Sequence, residues 1–206
     1  MPFCGIIPTG SENMYSLFID THDMDITIAL YKDGKVIDTN IKKSERQHSD
    51  YTMPMIKEII ERNNLDVHDM GEILVVNGPG SFTGVRLGVT IAKTLAYTLN
   101  IPIKTISTME MYAVSSPDAD KLVILRDLKG VFCGLFKDHK LDGEMFYLAN
   151  ANFDEYVKNN HYEDIILENC EIDFNAVYDY LRNVKAGLAH NTNPIYIKEI
   201  EALKHA

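Results

Sequence analysis

The chain is poor in basic residues. Lys and Arg total 20 against 30 Asp and Glu in 206 residues, a formal net charge of -10. That balance argues against a chain that holds nucleic acid alone, because phosphate contacts need a basic surface. RNA chemistry inside a larger complex stays open. Cysteine is scarce: Cys4, Cys133 and Cys170 form no C-x-x-C pair. A scattered, odd set predicts free thiols in a reducing cytosol rather than a disulfide framework. No apolar run approaches the ~18 residues of a membrane span, so no membrane partner is expected. Residues 1–13 lack the basic start and apolar centre of a signal peptide. Met14 directly precedes a strand-like run, and residues 1–13 are expected to be a leader, disordered or foreign to the natural start. The histidines (His22, His48, His68, His139, His161, His190 and His205) include no pair four apart. The chain therefore has no H-x-x-x-H or H-E-x-x-H metal helix.

Hydrophobic residues make up 46% of the chain, enough for a sizeable core in one large domain or two small lobes. Residues 15–20 read as a buried strand and 25–31 as a half-buried one. Asp33-Gly34 signals a hairpin turn into a return strand over 36–43. A helix follows, with Ser49 or Asp50 as cap and Pro54 in or near its first turn. Met55, Ile56, Ile59 and Ile60 form its apolar face, and Lys57, Glu58, Glu61 and Arg62 its wet one. A strand over 72–76, a glycine-rich loop, a helix over 83–99 and a strand over 101–106 complete a βββαβαβ order. Residues 108–115 form a crossover helix. The second half repeats the plan in shortened form: strands over 121–127, 130–136, 144–150 and 164–169, and helices near 153–159 and 174–184. The expected lobes are 14–107 and 108–206.

The loop is "NGPGSFTGVRLG". A strand, a glycine-rich loop and a helix N-terminus can present free amides and a positive dipole end to phosphate. The specific fingerprints fail, however. Val85 and Arg86 follow Gly84 where a Walker A loop needs Lys and Ser/Thr. Gly78, Gly80 and Gly84 miss the G-x-G-x-x-G spacing by one residue, and Pro79 spoils a G-x-S-x-G elbow at Ser81. Arg86 could still pair with a phosphate, so a nucleotide loop and a structural corner both stand at this point. On the following helix Gly84, Gly88, Ala92 and Ala96 recur every four residues, a stripe that lets another backbone approach closely. Leu87, Ile91, Leu95 and Leu99 flank it, and Arg86, Thr90, Lys93 and Tyr97 form the polar edge. The apolar arc is wider than one sheet face covers, so the rest must meet the other lobe, the first helix or another protein. Asp20 and Asp127 each end the first strand of a half, where a duplicated ATPase fold commonly keeps its catalytic and magnesium-binding carboxylates. Cys133 reads as core rather than nucleophile.

The run Gly78-Pro79-Gly80-Ser81-Phe82-Thr83-Gly84-Val85-Arg86-Leu87-Gly88 closely resembles the signature of the bacterial TsaB family, also called YeaZ. Ile19-Asp20-Thr21, Arg46-Gln47-His48-Ser49 and "RDLKGVFCGLF" over 126–136 extend the resemblance, which covers roughly residues 14–136. It implies a duplicated α/β fold of the actin-like ATPase type (ribonuclease H-like, sugar kinase/Hsp70 type) in two βββαβα lobes. It further implies a cytoplasmic, non-catalytic subunit in the synthesis of N6-threonylcarbamoyladenosine at position 37 of tRNA. The implied partners are a TsaD-like subunit that carries the metal and a TsaE-like ATPase. ATP and metal are then expected on those subunits and none in this chain, with tRNA met only through the complex. The family pairs with TsaD through its first two helices and forms homodimers when alone. This places the interface on Met55, Ile59, Gly84, Gly88, Ala92 and Ala96. Departures from the family are His22 in place of a small hydroxyl residue, Leu128-Lys129 after Asp127 in place of Ala-Arg, and a short second half. A different reading is a small ATP-dependent phosphotransferase or ATPase that uses Asp20 and Asp127 with Mg²⁺. A peptidase finds no nucleophile–base pair or metal motif.

Overall fold

The computed structural model describes residues 14–44 and 47–197. The expected leader, Arg46, Cys4, His205 and residues 198–206 of the second lobe lie outside the described residues. The first half holds β1 (Tyr15–Asp20), β2 (Asp25–Lys32), β3 (Lys35–Lys43), α1 (His48–Arg62), β4 (Met70–Val76), α2 (Phe82–Leu99), β5 (Ile103–Ile106) and α3 (Thr108–Ser115). The second holds β6 (Lys121–Arg126), β7 (Gly130–Lys137), β8 (Lys140–Leu141), β9 (Phe146–Ala149), α4 (Asn150–Asn160), β10 (Ile166–Leu167) and α5 (Phe174–Leu181).

The first sheet has the order β3-β2-β1-β4-β5, with β1–β2 and β2–β3 antiparallel and β4 and β5 parallel to β1. Both faces of β1 are buried, so its alternation separates two cores rather than core from water. Leu17 and Ile19 join α1 and α2 on the outer face, while Phe18 joins α3 and α5 on the inner one. Asp33 and Gly34 both have positive φ, as a type I′ hairpin turn requires. The second sheet runs β10-β6-β7, with β8 and β9 both on the free side of β7. It repeats the β4-β1-β2-β3 part of the first sheet. Val123 and Phe136 face the shared inner core, and Leu122, Ile124, Val131 and Cys133 pack under Phe153 and Val157 of α4. The layers are therefore α1/α2, first sheet, α3/α5, second sheet and α4.

Several expectations need correction. Neither Ser49 nor Asp50 caps α1: the helix begins at His48, with Gln47 as N-cap and no side-chain cap bond. Pro54 sits inside the helix, not in its first turn. The Asp50 carbonyl thereby loses its helical donor, which an exposed position tolerates because water can serve instead. Strand 164–169 shrinks to two residues after a 3-10 turn at Glu163–Ile165, and β8 was not foreseen. β6 stops at Arg126, so Asp127 opens the turn that follows.

One polar network ties the inner layers together. Glu72 on β4 is buried, accepts from Ser16 Oγ (2.8 Å) and Tyr178 OH (3.1 Å), and pairs with Lys104 Nζ (3.2 Å). Burying a carboxylate without such partners would be costly. Lys121 is also buried: its amine donates to Ala113 O (2.8 Å) and Ser116 O (3.1 Å) at the end of α3. Burial holds that amine below its ordinary value.

Candidate functional site

The glycine loop connects β4 to α2, and its polar groups are largely spent on the fold. Ser81 is the N-cap of α2: its Oγ accepts from Gly84 N at 3.3 Å, and its own N–H donates to His22 O at 2.7 Å. Thr108, at the start of α3, holds the other side. Its N–H donates to Gly78 O (2.9 Å) and its Oγ1 to Pro79 O (2.7 Å). Thr21 Oγ1 donates to Gly84 O at 2.7 Å. The loop thus seats the start of α2 on the end of β1 and the start of α3.

The stripe on α2 has the same purpose. A Cβ added at Gly84 would fall well inside contact distance of the Thr21 carbonyl oxygen, and one at Gly88 would meet Thr21 Oγ1. Gly84, Gly88, Ala92 and Ala96 are all buried against the chain's own first sheet, as are Met55 and Ile59 of α1. None of these six is available to a partner. The stripe faces the first sheet of its own chain. Apolar side chains of α1 and α2 that keep some exposure include Met53, Phe82 and Tyr97, which are exposed, and Leu87, Ile91 and Leu95, which are half-buried, the last two also touching the outer core.

A cleft of about 940 Å³ opens between the two sheets at this end of the molecule. Pro79, Gly80, Ser81, Phe82 and Val85 form one wall, and Leu125, Arg126, Asp127, Leu128 and Phe132 the other. Asp127 lies on its wall and Asp20 sits behind His22, which lines it; both aspartates are held by their own neighbours. Asp20 accepts from His22 N (3.0 Å) and lies 2.8 Å from His22 Nδ1. The other ring nitrogen, Nε2, lies 3.2 Å from Tyr112 OH. Burial alone would depress His22, but the Asp20 charge and hydrogen bond, with Asp23 behind them, outweigh it and raise the imidazole above its ordinary value. Asp127 accepts from Lys129 N (2.7 Å), Gly130 N (2.8 Å) and Tyr147 OH (2.7 Å).

Arg86 does not face an open phosphate site. Its guanidinium lies 3.7 Å from the Phe82 ring centroid and 5.4 Å from that of Tyr196, and its Nε donates to Tyr196 OH at 2.7 Å. A nucleotide with Mg²⁺ fits these residues poorly. Asp20 would have to release His22, Arg86 would have to leave its aromatic neighbours, and Gly80 already lies against the His22 backbone. Among the described residues no three His, Cys, Asp or Glu side chains are grouped to hold a metal. Cys133 is fully buried, and burial pushes its thiol up to about 12, which suits core rather than a nucleophile.

The His22–Tyr112 and Arg86–Tyr196 pairs were not visible in the sequence. Their partners lie 90 and 110 positions apart. Neither Tyr112 nor Tyr196 sits in a motif.

The family model described as "TsaD: tRNA N6-adenosine threonylcarbamoyltransferase" matches residues 36–127. The protein named tRNA threonylcarbamoyladenosine biosynthesis protein TsaB from Bacillus subtilis (strain 168) is 38% identical over 127 residues, 60% of this chain and 56% of that protein. Its namesake from Escherichia coli (strain K12) is 34% identical over 96 residues, 47% of this chain and 41% of that one. Over this stretch the chain is similar to the proteins named TsaB. It spans about half the length of the curated relatives it matches. The solved structure of YeaZ from Pseudomonas aeruginosa aligns with a TM-score of 0.73 over 88% of this chain and all of that one, at 17% identity, and shares the chain's fold.

Proposed function

We propose that the chain is a non-catalytic scaffold subunit. It pairs with a TsaD-like subunit to form N6-threonylcarbamoyladenosine at position 37 of tRNA, and it helps to build the docking surface of a TsaE-like ATPase. The observation that carries this reading is the glycine loop. Its hydrogen bonds seat two helices, and the Asp20 carboxylate at the end of β1 is committed to His22. The names of the curated relatives and of the matching family model support the pathway. In this reading the chain works in the cytoplasm, ATP and metal belong to the partner subunits, and tRNA is met only through the complex. An ATP-dependent phosphotransferase built on Asp20 and Asp127 is less well supported, because both carboxylates are engaged by the fold.

The partner surface falls on the outer side of α1 and α2, at Met53, Leu87, Ile91 and Leu95. Light scattering after size exclusion tests it. The chain alone should run as a homodimer, and a TsaD-like subunit from the same organism should convert it to a heterodimer. Ile91→Glu should weaken both associations at least about 10-fold, since a desolvated charge in an apolar contact costs more than about 1.4 kcal/mol. Its circular dichroism should not change. A chain that stays monomeric and ignores the partner would overturn the scaffold reading.

A further inference from the structure

After α5 the chain returns to the first lobe as a belt. Gly187 N donates to Ile103 O at 2.8 Å and closes the free edge of β5. A 3-10 turn at Ala189–Asn191 packs on α2, with Ala189 against the outer core. Thr192 is buried, and its Oγ1 donates to Leu188 O. Up to that point the belt is anchored. Residues 193–197 are different: they cross the mouth of the glycine loop, and none of them is fully buried. Among the described residues two hydrogen bonds fasten their backbone, both to Asn77: Ile195 N donates to Asn77 O (2.8 Å), and Asn77 Nδ2 donates to Asn193 O (3.2 Å). The third fastening is a three-membered cluster: the Phe82 and Tyr196 ring centroids lie 6.0 Å apart, and Arg86 sits over the Phe82 ring, beside that of Tyr196, and donates to Tyr196 OH.

We propose that residues 193–197 are a latch on the inter-lobe cleft, closed by the Phe82–Arg86–Tyr196 cluster, and that the latch opens as a local unit while both lobes stay folded. Segments held by few buried apolar contacts open at far lower cost than the core. The closed state also carries a specific penalty. Among the described residues Asn77 Oδ1 is buried with no hydrogen-bond partner, and lifting the strap lets water reach it. Ile195, Tyr196 and Ile197 share the cleft wall with Gly80, Ser81, Phe82 and Val85, so release widens the cleft on the loop side. It also frees Arg86 and two aromatic faces together at the rim. The hinge falls after Thr192, where the buried anchor ends. This latch is independent of the tRNA-modification reading.

Thiol labelling tests it. Val85 is buried beside the strap: its methyl groups and Ile195 O both approach Gly78. Val85→Cys should therefore react only when the strap lifts. The native Cys133, buried under α4, reports global opening in the same sample. Adding Tyr196→Ala should speed labelling at position 85 by about 10-fold, the size expected for losing one hydrogen bond to a charged group with its neighbouring ring. Labelling at Cys133 should stay unchanged. Equal acceleration at both sites means global destabilisation and overturns the latch, as does no acceleration at position 85. Hydrogen exchange on the chain without the cysteine substitution decides the matter if Val85→Cys misfolds. The Ile195 amide should be protected in the wild type and exchange faster in Tyr196→Ala, while β1 and β4 do not change. An Ile195 amide that exchanges freely in the wild type, or equally slowly in both, overturns it.

Discussion

Gly84→Ala should cost the fold about 3 kcal/mol and lower its melting temperature by roughly 6–12 °C. The sign is the informative part. In an exposed helix interior the same change gains about 1 kcal/mol, because alanine is the better helix former. Gly84 is not exposed. The new methyl would press on the carbonyl oxygen of Thr21, a backbone atom at the end of β1 that cannot rotate aside. Any shift of α2 away from it also stretches the 2.7 Å bond from Thr21 Oγ1 to Gly84 O. Gly88→Leu should be worse, since Thr21 Oγ1 and Ile19 already fill that space. Ala92→Arg would place a charge in the outer core. Urea or thermal unfolding of the three variants checks this. A neutral or stabilising Gly84→Ala would mean that α2 stands farther from β1 than described, and the loop would no longer count as the corner that sets the helix. These substitutions are unsuited to probing a partner surface, because they damage the chain's own core first.

The first half of the fold was legible because its signals are local. Strand alternation, the Asp33-Gly34 turn and the 3.6-residue periods of α1 and α2 each lie within one element. The start of α1 was misread because Ser49 and Asp50 are good capping types. The chain instead turns earlier, where Gln47 N donates to Ser44 O and Ser44 Oγ lies 3.0 Å from His48 Nδ1. The direction of the α2 stripe could not be read either. Small residues every four positions demand a close backbone, but nothing in their spacing says whose. Thr21, sixty-three positions before Gly84, answers it. The loop is read in the same way. Its glycines suggest phosphate, and only the bonds from Thr108 and Thr21 and to His22 show where its polar groups go. In the second half the two-residue strands β8 and β10 are too short to show any period.

Asp20→Asn should destabilise the chain by about 2 kcal/mol near pH 6 and by less near pH 9. The wild-type side of that comparison follows from His22. Its folded-state pKa is raised, so the stability it contributes is fully present below the ordinary histidine value and is lost as pH rises through the folded one. Wild-type stability should therefore decline with pH above about 6.5. Asparagine keeps the shape and can still accept from His22 N–H, but it removes the charge that holds the imidazolium. In the variant His22 sheds its proton, burial becomes the dominant influence on it, and the decline with pH disappears. Tyr112 does not titrate in this range, because burial, then Asp20 and Asp23, push its hydroxyl further up. Urea unfolding of both proteins across the pH range gives the two slopes. The opposite pattern is just as informative. If Asp20 were a magnesium or phosphate ligand in a working nucleotide site, Asp20→Asn would leave stability and its slope nearly intact and remove nucleotide binding. A carboxylate 2.8 Å from a buried histidine with a raised pKa is better explained by the first pattern. Both of its oxygens already lie 2.8 and 2.9 Å from His22 Nδ1, so a cation arriving from solvent would have to displace the ring before it gained a ligand.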